Sequence, residues 1–118
     1  MAEGLSRGEV IIVSAPGEYG KPRPSVIVQE DFSEPIESII VCPMTSDLVV
    51  GGPVRPTVQP SSENGLRLVS QVMIDKIMAV HLSRCGRRIR TMSSLDMEVI
   101  DNSLSVVLGL APSSARIG

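Results

Sequence analysis

Two apolar runs of strand length constrain the possible folds of this chain more than any other feature. The first run covers residues 24–29 and follows Arg23, and the second covers residues 38–44 and is followed by Thr45 and Ser46. Antiparallel pairing places the start of one strand beside the end of its neighbour, so we expect Arg23 to lie near the two hydroxyls. A guanidinium beside two hydroxyls at the rim of a sheet suits a phosphate better than a hydrophobic core.

The other segments complete a mainly β pattern. Residues 9–14 are β-branched and nearly all apolar, which predicts a strand covered on both faces. Residues 54–59 alternate apolar and polar side chains and predict an exposed or edge strand. Residues 66–77 predict a strand, or a strand with a bend, whereas residues 78–90 predict a loop or short turn followed by a short strand near Ile89.

The strongest helix signal comes after these strands. Residues 94–108 predict an α-helix, with Ser93 as its N-cap and Gly109 as the residue beyond its end. We expect the helix to pack on the sheet through a stripe of apolar residues at helical spacing. The stripe consists of Leu95, Val99 or Ile100, Leu104, and Val107 with Leu108. One domain is expected over residues 1–118, with short flexible tails at 1–6 and 112–118.

Composition narrows the possible partners. The 118 residues include one Tyr and one Phe and carry a net charge of −2 at pH 7. A row of aromatic side chains that stack on bases is therefore excluded, and any nucleic-acid site must be a local patch. Cys42 and Cys85 are too few for a disulfide framework and lack metal-ligand spacing. We therefore expect a reduced, cytoplasmic protein without a cofactor or a membrane span.

Charged residues near the end of the predicted sheet are open to two interpretations. Arg84, Arg87, Arg88 and Arg90 fall within seven positions. Such a cluster is either a solvated face or a local patch for an RNA backbone or a partner, and the residues alone leave both open. His81 has no sequence partner that would tune it, so we interpret it as structural or exposed. Asp75 and Lys76 are interpreted as a structural pair at a strand end.

Four short motifs occur in the order found in bacterial toxins of the MazF/PemK type. They are Arg-Gly-Glu-Val-Ile-Ile-Val at 7–13, Arg-Pro-Ser-Val-Ile-Val at 23–28, Pro-Met-Thr-Ser at 43–46 and Ser-Gln-Val-Met-Ile-Asp-Lys-Ile at 70–77. Each motif is weak alone, but together they make residues 7–110 resemble this family. The resemblance implies a small antiparallel β-barrel of the SH3-like, MazF/CcdB kind, closed by a C-terminal helix.

The same resemblance implies a function. It implies a homodimer that cleaves single-stranded RNA sequence-selectively without a metal, leaving a 2′,3′-cyclic phosphate and a 5′-hydroxyl. RNA is expected in a groove between loops 15–22 and 47–53, and a cognate antitoxin with an extended, acidic segment is expected to block that groove. Arg23 is implied to act at the scissile phosphate, and Thr45 to donate a hydrogen bond to a nonbridging oxygen. RNA-binding or supporting roles are expected for Glu18, Tyr19, Lys21, Ser46, Gln71, Arg84, Arg87 and Arg88.

Proton transfer is the part of this chemistry for which the sequence supplies no clear residue. RNA cleavage without a metal needs a base for the 2′-hydroxyl and an acid for the 5′-oxygen. Some members carry an acidic residue where this chain has Ser70, and an arginine where it has Leu68. Glu18 is a substitute base by location only. Two alternatives therefore stay open: a same-fold toxin that acts by binding, as gyrase-poisoning CcdB relatives do, and a degenerate member that binds RNA or an antitoxin without cutting.

Overall fold

Seven strands and one helix are found in the part of the chain that the computed structural model describes, residues 4–14, 21–31, 36–50 and 52–110. The strands are β1 (Glu9–Val13), β2 (Arg23–Ile27), β3 (Ser38–Thr45), β4 (Thr57–Val58), β5 (Ser70–Val72), β6 (Met78–His81) and β7 (Cys85–Thr91), and the helix is α1 (Ser94–Val107). Short 3₁₀ turns cover Gly52–Val54, Ile74–Lys76 and Leu82–Arg84. Within these ranges no helix is both long and apolar enough to cross a membrane.

The strands form one curled antiparallel sheet. Its order is β4-β5-β3-β2-β1-β7, and β6 pairs with β3 alongside β5. Because β6 leads through a single 3₁₀ turn into β7, which pairs with β1, the sheet curls into a half-barrel. The predicted architecture, mainly β with a C-terminal helix, is confirmed.

Two apolar clusters cover the two faces of the sheet, because successive side chains of a strand point to opposite faces. The first cluster lies between the sheet and α1 and includes Val10, Val26, Cys42 and Ile100. The second includes Ile11, Val13, Ile27, Ile39, Val41 and Val80. The predicted burial of β1 on both faces follows from this arrangement.

Helix α1 begins and ends as predicted. The Ser93 hydroxyl oxygen accepts a hydrogen bond from the Asp96 amide at 3.1 Å, which satisfies one of the free N–H groups of the first turn. At the other end Gly109 takes a φ of +72°, and the Leu110 amide donates to the Ser105 carbonyl at 2.7 Å. This pairing is a Schellman cap, in which glycine tolerates the left-handed conformation that other residues avoid.

The predicted packing face of α1 is confirmed at Ile100 and Leu104 and is wrong at Leu95, Val107 and Leu108, which are exposed. Ile100 and Ser103 are the buried positions, and Met97 and Leu104 pack beside them on the first cluster. Leu95, Val99 and Val106, which lie at helical spacing along another stripe, are 72%, 51% and 39% exposed. The helix carries two apolar stripes, and hydropathy alone does not indicate which of them meets the sheet. We call Leu95, Val99 and Val106 the outer stripe of α1.

One arginine joins α1 to the sheet. The Arg7 guanidinium makes two hydrogen bonds to the Asp101 carboxylate and donates through Nε to the Val28 carbonyl at 2.9 Å. The hydrogen bond to Asp101 raises the pKa of Arg7, the charged form being favoured by its partner. These directional contacts of one guanidinium with both the helix and the sheet fix the position and the direction of α1 on the sheet.

The segment from 54 to 90 departs from its predicted elements. Only Thr57–Val58 of the predicted 54–59 strand pairs, and residues 66–77 contain the three-residue β5 followed by a 3₁₀ turn. Over residues 78–90 the predicted loop or short turn is instead β6, a 3₁₀ turn and the first half of β7, and the predicted short strand near Ile89 is part of the seven-residue β7. Strand β7 is exposed along most of its length, so it lacks the apolar alternation on which a strand prediction depends.

A buried asparagine organises the turn before β5. Asn64 is fully buried, and its Oδ1 accepts from the amides of Ser61 at 3.0 Å and Leu66 at 2.9 Å. Its Nδ2 donates to the Gln59 carbonyl at 2.9 Å. All three groups belong to the same turn, so one side chain replaces the backbone pairing that the turn lacks.

Candidate functional site

The β2–β3 ladder brings the predicted catalytic pair together. Ser25 pairs with Pro43, so two positions further out Arg23 lies opposite Thr45. Both residues share the face of the sheet that carries the second apolar cluster, beyond its edge. On the other side of Arg23, β1 contributes Val13, which pairs with Arg23. The side chains of Arg23 and Thr45 therefore lie across from each other at one open end of the half-barrel.

A cleft of about 860 Å³ opens at this end. Its floor is formed by apolar and small side chains of the sheet, including Val13, Ser25, Pro43 and Met78. Five cationic side chains line it, and among the described residues a single carboxylate accompanies them. The cations are Lys21, Arg23, Arg55, Lys76 and Arg84, and the carboxylate is Asp47. A concave surface with this charge attracts anions although the whole chain is slightly acidic.

The Thr45 hydroxyl has a defined hydrogen-bonding direction. Its oxygen accepts from the Asp47 amide at 3.0 Å. An accepting hydroxyl still has its own hydrogen to donate, so Thr45 can donate to an oxygen of a bound ligand. The half-buried Thr45 is fixed at the end of β3 by this short turn.

Gln71 supports the cleft from behind rather than lining it. Only 3% of the residue is exposed, and it lies opposite Thr45 in the β3–β5 ladder. Its Oε1 accepts from the Val49 amide at 3.0 Å, and its Nε2 donates to the Val49 carbonyl at 2.7 Å. Both amide atoms of Gln71 therefore hold the loop that follows Thr45 against the sheet.

Two of the cations reach the cleft from segments that are distant in sequence. Arg55 makes two hydrogen bonds to the Asp75 carboxylate, at 3.1 and 3.2 Å, and these lower the pKa of Asp75. The Asp75 carboxylate thus binds Arg55, and the charge of Lys76, its predicted partner, also lowers the pKa of Asp75. Arg84 lies at the start of β7, and its guanidinium donates to the Ser14 carbonyl at 3.4 Å.

The remaining predicted residues are distributed differently. Ser46, Arg87 and Arg88 are exposed and do not line the cleft, and Arg88 forms a 3.6 Å ion pair with Glu9. The arginine cluster is thus divided, with Arg84 at the cleft and the others along β7. Glu18 and Tyr19 lie outside the described residues, as do most of loop 15–22 and of the two predicted tails.

Two further positions bear on proton transfer. Ser70 is 7% exposed, and its hydroxyl donates to the Leu68 carbonyl at 2.9 Å, so it does not line the cleft. His81 does line the cleft, and its Nδ1 accepts from the Ser83 amide at 3.1 Å. The histidine is exposed, as predicted, and caps the 3₁₀ turn before β7.

The fold agrees with a family comparison. The model of the PemK-like, MazF-like toxins of type II toxin–antitoxin systems matches residues 6–108. This chain belongs to that family. A probable endoribonuclease MazF of Mycolicibacterium smegmatis is 35% identical over 108 residues, which cover 91% of this chain and 99% of the relative.

Solved structures of MazF toxins share the fold of this PemK/MazF-like chain. A mycobacterial endoribonuclease in complex with its cognate antitoxin superposes with a TM-score of 0.77 at 19% identity, covering 92% of this chain and 99% of the other. The Mycobacterium tuberculosis toxin MazF-mt6 gives a TM-score of 0.74 at 21% identity, covering 88% and 99%.

Sequence reasoning missed three residues of the cleft in this PemK/MazF-like chain. Asp47, Arg55 and Lys76 line it, yet none was predicted as a site residue. The signal for Asp47 was its position two residues after Thr45. Arg55 and Lys76 had no local signal, because only the curl of the sheet brings their segments to the same opening.

Proposed function

We propose that this protein is a toxin endoribonuclease that cleaves single-stranded RNA sequence-selectively without a metal. The observation that carries the proposal is the facing of Arg23 and Thr45 across the β2–β3 ladder, at the mouth of a cleft lined by five cations. The 35% identity to a probable MazF endoribonuclease supports the same reaction class. The products are a 2′,3′-cyclic phosphate and a 5′-hydroxyl.

The cleft has the parts that cleavage by the neighbouring 2′-hydroxyl requires. Attack of the 2′-oxygen on phosphorus forms a five-coordinate phosphorane with increased negative charge on its nonbridging oxygens. Arg23 stabilises that charge electrostatically, and the Thr45 hydroxyl donates to one nonbridging oxygen. Lys21, Arg55, Lys76 and Arg84 bind the flanking phosphates, as the charge of the cleft favours.

An antitoxin segment is the proposed regulator of this cleft. A protein that competes with RNA for five cations must itself present carboxylates, so we expect an extended, acidic segment. The mycobacterial relative described as in complex with its cognate antitoxin supports such a partner. The site of action is the cytoplasm, where a toxin of this class meets its RNA.

A homodimer is the proposed assembly. The outer stripe of α1 exposes Leu95, Val99 and Val106 along one side of the helix. Apolar side chains in a continuous stripe mark an interaction surface more often than isolated ones do. Sedimentation of the wild type and of Val99→Asp tests this, because a charge within the interface dissociates a dimer but leaves a monomer unchanged.

Incubation of a long RNA with the purified protein in EDTA tests the nuclease. Cuts at one short recurring sequence, ending in cyclic phosphate, are expected for the wild type and lost in Arg23→Ala and Thr45→Ala. Arg67→Ala is the matched control, because Arg67 is exposed and lies outside the cleft. Intact RNA across many sequences would contradict the proposal and favour a member that acts by binding alone. Cleavage that survives in Arg23→Ala would place the chemistry elsewhere.

A further inference from the structure

Asp47 places a carboxylate in a cleft that otherwise suits an anion. It is the single acid among the described residues that line the opening, beside five cations. Its carboxylate makes no hydrogen bond or ion pair with any other residue in ranges 4–14, 21–31, 36–50 and 52–110. A carboxylate in this place opposes phosphate binding, so electrostatic attraction of RNA gives no reason for it.

The backbone on both sides of Asp47 is held in place. Its amide donates to the Thr45 hydroxyl at 3.0 Å, and two residues later both backbone groups of Val49 bond to Gln71. The backbone of Asp47 is therefore held directly beside Thr45, at the end of the cleft where Arg23 faces that residue, and the Asp47 side chain lines the cleft. A general base needs this kind of placement, within reach of the proton that it removes.

The other described groups of the cleft are poor proton acceptors. Lysine and arginine side chains carry their protons at neutral pH. The Nδ1 of His81 already accepts the Ser83 amide, so the proton of the neutral ring lies on Nε2, the nitrogen left for a ligand. His81 therefore offers a donor to the cleft. Asp47, whose carboxylate oxygens have no partner among the described residues, is left as the acceptor.

We propose that Asp47 is the general base of this site and accepts the proton of the attacking 2′-hydroxyl. The inference rests on the proposed ribonuclease function. As the O2′–H bond breaks, its proton passes to the Asp47 carboxylate and the 2′-oxygen forms a bond to phosphorus. The P–O5′ bond then breaks, and the 5′-oxygen leaves with the bonding pair and takes a proton from water. Asp47 returns its proton to solvent, so the base is regenerated.

Asp47→Asn separates a catalytic role from a binding role. Loss of a general base is expected to lower kcat by about 100-fold or more. Affinity for a 2′-O-methyl RNA, which cannot be cut, should stay the same or rise, because the substitution removes a negative charge from a cationic cleft. Asp47→Glu, which keeps the carboxylate, should recover part of kcat. Thermal unfolding of each variant checks that the exposed position leaves the fold intact.

A sulfur leaving group distinguishes a base from an acid. In an RNA whose scissile 5′-oxygen is replaced by sulfur, the leaving group needs no protonation, so variants that lack the acid regain activity. Asp47→Asn should remain slow on this substrate relative to the wild type. Recovery to the wild-type rate would make Asp47 the acid and overturn the inference.

Glu18→Gln is the matched comparison, because Glu18 is the base suggested by location in the sequence. A loss in Glu18→Gln with wild-type activity in Asp47→Asn would overturn the inference and leave the ribonuclease function standing. An inactive wild type would instead overturn the ribonuclease function, and the inference with it.

Discussion

Replacing Gln71 by leucine should release the loop that carries Asp47 while leaving the sheet intact. The side chain is buried, and leucine has a similar volume without its two polar groups. Two hydrogen bonds to Val49, at 3.0 and 2.7 Å, disappear, together with a contact of 3.5 Å from Nε2 to the Thr57 hydroxyl that is too long to add much. Val49 is 54% exposed, so we expect water to replace the lost partners of its backbone groups.

The expected cost follows from these two bonds. A typical intramolecular hydrogen bond contributes about 0.5–1.5 kcal/mol net, so the free energy of unfolding should fall by roughly 1–3 kcal/mol. At this chain length about 4 °C of Tm corresponds to 1 kcal/mol, which gives a fall of about 4–12 °C. The pairings of β5 with β3 and β4 are backbone pairings and should persist.

Amide hydrogen exchange is the most direct assay. The Val49 amide should be protected in the wild type and exchange freely in Gln71→Leu, while the amides of β3 keep their protection. RNA cleavage should fall with it, because Asp47 loses its fixed position beside Thr45. Leu68→Ala, at an exposed position of the neighbouring segment, is the matched control. Unchanged exchange at Val49, or full cleavage despite rapid exchange, would refute the reasoning.

Three further predictions concern stability and reactivity. Asn64→Ala removes three side-chain hydrogen bonds from a fully buried position and should lower the free energy of unfolding by roughly 2–4 kcal/mol. Urea titration measures this loss, with the exposed Asn102→Ala as the control. A loss for Asn64→Ala smaller than that for Asn102→Ala would contradict the assigned role. Arg55 lowers the pKa of Asp75 in the folded protein. The ion pair therefore stabilises the fold at pH values above the pKa that Asp75 has in the unfolded chain, and this stabilisation is lost as the pH falls through the pKa of Asp75 in the folded protein. The difference in stability between wild type and Asp75→Asn should therefore shrink from pH 7 to pH 3, and a constant difference would argue against the ion pair. Burial raises the pKa of Cys42 to about 12, so iodoacetamide at pH 8 should alkylate Cys42 only after unfolding, as read by mass spectrometry of the native and urea-treated protein.

The predictable parts of the fold were those whose signal is local. Strands β1, β2 and β3 are continuous apolar runs, and α1 is bounded by a capping serine and a glycine with positive φ. These features depend on neighbouring residues, so they are visible in the sequence. Only a short strand near Ile89 was predicted where β7 covers seven residues, because the arginines of β7 leave it without an apolar pattern and its strand conformation depends on pairing with β1.

In the candidate site, too, the residues that could be predicted are those with a local signal. The approach of Arg23 to Thr45 follows from antiparallel pairing of two recognisable strands, so the sequence was sufficient to predict it. Arg55 and Lys76 reach the cleft only through the curl of the sheet, which the sequence does not display. Gln71 was expected to contact RNA or support the site; it is buried behind the loop and bonds to Val49, a position that the sequence does not display.

The Arg7–Asp101 pair also constrains when this protein can become harmful to its own cell. The two partners are separated by 94 positions, and β1 needs β7 for its second ladder. During translation, the second edge of β1 therefore stays unpaired until β7 has left the ribosome, near the end of synthesis of the domain. A nascent chain arrested before β7 has one edge of β1 unpaired and lacks the Arg7–Asp101 contact. The topology thus delays any ribonuclease activity until synthesis of the domain is almost complete.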